Sequence, residues 1–83
     1  MEELMTNPET FIATYREQLR IAIETHPEEY AYPVSELDFV VARMTAAIER
    51  GSFNKDSRAF RATCKVLGIK HTYQAIKAYM EAQ

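Results

Sequence analysis

Apolar residues return at helical intervals along the first third of the chain. Phe11, Ile12, Tyr15, Leu19, Ala22 and Ile23 fall on one side of a helix with 3.6 residues per turn. The pattern predicts a helix starting near Thr6 or Asn7. Thr6 and Glu9 have capping-box spacing, and Pro8 suits a first turn, where its missing N–H costs nothing. Pro27 stops the helix by pushing His26 away from helical angles. "HPEEYAYPV" then reads as an ordered loop, with Tyr30 or Tyr32 packed back on the helices. A second apolar face follows in Leu37, Val40, Val41, Met44, Ala47 and Ile48. Ser35 is its expected cap, with Asp38 three residues on, and Gly51 is its stop.

The last third repeats the pattern twice. A third helix is expected to start at Asn54 or Asp56 and run to Leu67. Phe60, Thr63, Cys64 and Leu67 form its apolar side, with Arg58, Arg61 and Lys65 opposite. Gly68 ends it, and Ile69 folds back as the hydrophobic partner of that stop. A fourth helix begins around Lys70 to Thr72. It places Tyr73, Ile76 and Met80 inward, and Lys70, Gln74 and Lys77 on another face. No stretch alternates with the two-residue period of a strand. The expected fold is all-α, a compact four-helix domain with a helix-turn-helix-like C-terminal half.

Eighty-three residues support one domain with a modest core. The net charge of −2 conceals a division. Residues 1–51 hold ten acidic and four basic side chains, whereas residues 52–83 hold six basic and two acidic. Such asymmetry points to nucleic acid or to an acidic partner surface; the competing reading is self-pairing, within the fold or across a homodimer. The acidic start "MEELMTNPET" does not read as a signal peptide, and no apolar run approaches the ~20 residues of a membrane span. A single cysteine allows no internal disulfide. These features point to a soluble cytoplasmic protein, or to one made by a virus or mobile element acting there.

Catalysis has thin support in the residues. His26 and His71 are far apart in sequence, and Cys64 belongs to an apolar face, where thiols behave as small hydrophobes. His26 with Glu28 and Glu29 is the one cluster of metal-binding types, and a solvated loop explains it equally well. With two glycines in the chain there is no phosphate-cradling loop. No enzyme activity, cofactor, metal or small-molecule substrate is expected.

The stretch "ATCKVLGIKHTYQAIKAYM", residues 62–80, resembles the C-terminal helix-turn-helix of Fis-type bacterial DNA-binding domains. Ala62 or Cys64 takes the small position, Leu67, Gly68 and Ile69 match the turn, and Thr72 with Tyr73 opens the second helix. Lys70 and His71 stand between Gly-Ile and Thr, where family members usually place three residues. The resemblance covers the last third of the chain and implies duplex DNA as partner. Chemistry then supplies the contacts. Gln74 can read an adenine edge, Lys70 can reach guanine or phosphate, and His71 and Lys77 lie on the same outward side. Arg58, Arg61 and Lys65 can grip the backbone. The expected function is a small DNA-binding regulator of prokaryotic or phage type. The alternative is a small phage or mobile-element protein that inhibits or adapts a host protein through its helical surfaces.

Overall fold

The capping box forms as its spacing predicts. The Thr6 hydroxyl accepts from the Glu9 amide, and the Glu9 carboxylate accepts from the Thr6 amide at 2.9 Å. Two orphan donors at the helix start are thereby satisfied. The computed structural model describes residues 5–82; Glu2 and Glu3, counted in the acidic half, lie outside the described residues. Helix α1 spans Asn7–Thr25 and is followed by a single 3-10 turn, Pro27–Glu29. A second 3-10 turn, Val34–Glu36, leads into α2 at Leu37–Arg50; α3 covers Arg58–Leu67 and α4 covers Tyr73–Glu81. The fold is all-α with four helices, and the described residues contain no strand.

Helix α1 is the hub. Its buried side chains Phe11, Tyr15, Leu19, Ala22 and Ile23 meet α2, α3 and α4. The closest pairing is with α3, whose Ala59, Phe60, Thr63 and Cys64 are all buried. Phe60 is fully buried and its ring lies 5.1 Å from Phe11, 5.9 Å from Tyr15 and 5.1 Å from Phe53. Helix α4 adds the fully buried Ile76, and Asn7 Nδ2 donates to the Tyr79 carbonyl at 2.9 Å, fixing α4 to the start of α1. The acidic and basic stretches therefore share one core and are not separate units. Thr63, the one buried polar side chain of the described residues, returns its hydroxyl to the Ala59 carbonyl at 2.8 Å. The radius of gyration is 12.7 Å, against about 11.8 Å for a typical compact domain of this length.

Both glycine stops occur where expected. Gly51 and Gly68 adopt φ of 73° and 71°, and the next amides, Ser52 and Ile69, bond back to Ala47 and Cys64. That is the six-to-one closure of a Schellman motif, and Ile69 packs on the core beside it. Two expected helix starts are corrected. Ser35 does not cap α2; Pro33 holds an extended conformation, and Val34–Glu36 wind into a 3-10 turn with Ser35 inside it. Neither Asn54 nor Asp56 opens α3. Asn54 Oδ1 accepts the Asp56 amide at 3.0 Å, a local turn that uses up the side chain. Ser57 caps α3 instead, accepting from the Phe60 amide. Tyr73 also departs from the inward face expected of it. It is 50 % exposed, with its ring edge-on to Phe53 and its hydroxyl donating to the Phe53 carbonyl at 3.1 Å. No helix of the described residues is long and apolar enough to cross a membrane.

Candidate nucleic-acid interface

The candidate interface is built on α3, the five-residue turn Gly68–Thr72, and α4. Helix α3 buries one side, so its opposite side must face water. Arg58, Arg61 and Lys65 follow one another there at i+3 and i+4, and all three are exposed. Lys70 in the turn and Gln74 and Lys77 on α4 are exposed as well. Thr72 caps α4 by accepting from the Ala75 amide at 3.1 Å, which orients the first turn carrying Gln74.

The seven candidate residues differ in what already holds them. Arg58 is engaged: its Nε donates to Glu29 Oε1 at 3.1 Å and its Nη2 to Oε2 at 2.9 Å, a bidentate pair. The hydrogen bond from Arg58 holds the Glu29 carboxyl below its ordinary range and raises the guanidinium in turn. His71 is also engaged. Its Nε2–H donates to the Lys55 carbonyl, with Asp56 Oδ1 3.5 Å away, so the ring faces the α2–α3 link and not the outward side expected for it. Lys55 itself contacts Asp56 at 3.1 Å. Arg61, Lys65, Lys70 and Lys77 form no ion pair with a described carboxylate. Pairing between acidic and basic halves is thus confined, among the described residues, to Glu29 and Arg58.

Only part of this charge placement serves the helices: Lys65 lies in the last turn of α3, where a cation suits the helix dipole. Like charges at i+3 and i+4 destabilise a helix by roughly 0.2–0.5 kcal/mol per pair. Arg58, in the first turn of α3, opposes the helix dipole, and neither α3 nor α4 has an acidic residue in its first turn.

Two other groups are placed by the structure. Cys64 is 1 % exposed, and burial pushes its thiol up, away from the thiolate a nucleophile needs. His26, Glu28 and Glu29 gather ligand atoms within 4.8 Å of one another, but Glu29 is already committed to Arg58. Sequence reasoning missed Glu29 as the partner of Arg58 and Lys55 as the partner of His71. Both contacts join distant segments, and no spacing rule reports them.

No protein-family model, curated protein or solved structure matches the chain.

Proposed function

We propose that the chain is a small DNA-binding protein of the prokaryotic or phage regulator type, with α3, the turn and α4 acting as a Fis-type helix-turn-helix. The observation that carries this reading is the run of four exposed cations, Arg61, Lys65, Lys70 and Lys77, across these consecutive segments, none in an ion pair with a described carboxylate. Phosphate contacts of this kind supply most of the affinity for a duplex, while base edges supply the specificity. Gln74 is the base-reading candidate, because it is exposed in the first turn of α4 beside the Thr72 cap. Arg58 contributes less than its neighbours while Glu29 holds it, and His71 works by tying the turn to Lys55.

The test is fluorescence anisotropy with a labelled duplex at low salt. Binding should weaken more than tenfold on Arg61→Glu, since the change removes one phosphate contact and adds a repulsion. A wild-type protein that does not bind duplex ends the reading, and so does an Arg61→Glu protein that binds unchanged.

A protein partner is the second reading, favoured by an open groove of about 730 Å³ between the start of α1, the end of α2, and α4. Ile12, Ile48, Phe53, Tyr73 and Met80 give it an apolar lining of the kind an amphipathic helix can fill. Stoichiometric recovery of one host protein from nuclease-treated lysate, lost on Tyr73→Glu, would support that reading over the first.

A further inference from the structure

The other flank of α2 borders a second open groove, of about 510 Å³, facing the Tyr30–Tyr32 loop and the link to α3. Volumes of roughly 300–1,000 Å³ suit small molecules. We propose that this groove binds a small aromatic anion.

Two arginines supply the charge. Arg43 and Arg50 are seven residues apart, so they share a face of α2 about 10.5 Å apart along the axis. Neither forms an ion pair with a described carboxylate. Glu36 is the one carboxylate of the lining, and it is exposed at the rim. The groove therefore carries a net positive charge.

Three phenols supply neutral donors. Tyr15 is 3 % exposed and lines the groove; burial raises its hydroxyl first, with Tyr32 and Tyr30 adding to the rise. All three phenols line this one groove. Tyr30 and Tyr32 are raised by burial as well, so all three hydroxyls remain O–H donors near neutral pH. Arg43 and Tyr32 line the same groove, and the charge of Arg43 acts on the Tyr32 phenol in the opposite direction. An anion there meets a guanidinium and phenolic O–H groups together, and charge-assisted hydrogen bonds are the strong ones.

Aromatic surface is the third element. Tyr30 and Tyr32 meet edge-on with ring centroids 5.9 Å apart, and both are half-buried. Phe39 is 62 % exposed, and the Arg43 guanidinium sits 5.9 Å from its ring centre. A planar ring can lie against these faces while its anionic group reaches Arg43 or Arg50. A nucleotide and an aromatic carboxylate share this chemistry. None of these side chains belongs to the α3–α4 surface, so the groove stands apart from the DNA-binding reading.

The experiment is a chemical-shift titration of the whole chain with adenosine monophosphate and with indole-3-acetate. Adenosine and inorganic phosphate, each carrying half of the chemistry, are the comparison ligands. We expect saturable, submillimolar binding of at least one aromatic anion, with adenosine and phosphate about tenfold weaker or more. Arg43→Gln and Arg50→Gln should each weaken it by about tenfold, the loss expected for a charge-assisted contact, while Arg20→Gln leaves it unchanged. Binding of the nucleotide alone, or of the carboxylate alone, identifies the source. No binding of either, phosphate binding as tightly as the nucleotide, or binding untouched by both arginine changes overturns the proposal.

Discussion

Helices α1 and α3 pack face to face yet treat their outward charges in opposite ways. On α1, Arg16 reaches Asp38 on α2 at 2.8 Å, and Arg20 bridges Glu17 and Glu24. On α3, Arg61 and Lys65 meet no described carboxylate, and the one paired cation, Arg58, borrows Glu29 from the loop after α1. Both helices bury their inner faces in the same core, so packing does not explain the difference. Net charge per segment is a poor guide to available charge: the arginines of α1 are consumed locally, whereas on α3 Arg58 is held by Glu29 and Arg61 and Lys65 form no ion pair with a described carboxylate. Helix α2 complicates a simple division of the sequence, since Arg43 and Arg50 belong to the acidic stretch and also form no ion pair with a described carboxylate.

The strongest way to break the contrast is to remove what the two helices share. Phe60→Ala should cost about 3–5 kcal/mol, because Phe60 is fully buried between Phe11, Tyr15 and Phe53. Urea unfolding followed by circular dichroism should show one transition at a lower midpoint, with α1 and α3 lost together. Two separate transitions would mean the halves are independent. Next in size, Glu29→Gln should make α3 less like α1's partner and more like a free cationic face. Releasing Arg58 should tighten duplex binding severalfold and steepen its salt dependence, as anisotropy would read directly.

A smaller effect concerns pH. Burial raises the Tyr15 hydroxyl above its ordinary 10.0, so the folded chain holds that proton more tightly than the unfolded one. The stability this contributes is fully present below pH 10 and is lost as pH rises toward the folded value. Thermal melts should therefore fall above pH 10, and Tyr15→Phe should flatten that fall. The smallest change expected is at the turn. Thr72→Ala removes the α4 cap and should cost about 1 kcal/mol in a denaturant melt, with the α1 contacts retained.

Local chemistry made much of the fold legible. The capping box at Thr6, the stop at Pro27 and the left-handed glycines at Gly51 and Gly68 are each written within five residues of sequence. The misreadings arose where short-range options competed. Ser35 has a cap's position relative to Asp38, but Pro33 starts a 3-10 turn that absorbs it. Asn54 and Asp56 are cap types engaged elsewhere, Asn54 Oδ1 accepting the Asp56 amide and the Asp56 carboxylate accepting from Lys55, which leaves Ser57 to start α3. At the candidate interface, exposure of Arg61, Lys65 and Lys77 follows from helical periodicity alone. The capture of Arg58 by Glu29 and of His71 by the Lys55 carbonyl depends on how distant segments meet, which periodicity does not encode.

The measurement that bears most directly on the central claim is the salt dependence of duplex binding. If Arg61, Lys65, Lys70 and Lys77 each neutralise one phosphate, the logarithm of the association constant should fall against the logarithm of salt concentration with a slope of about −3.6. Lys65→Gln should reduce that slope by about one unit. A flat dependence, or a slope that Lys65→Gln leaves unchanged, would contradict the account.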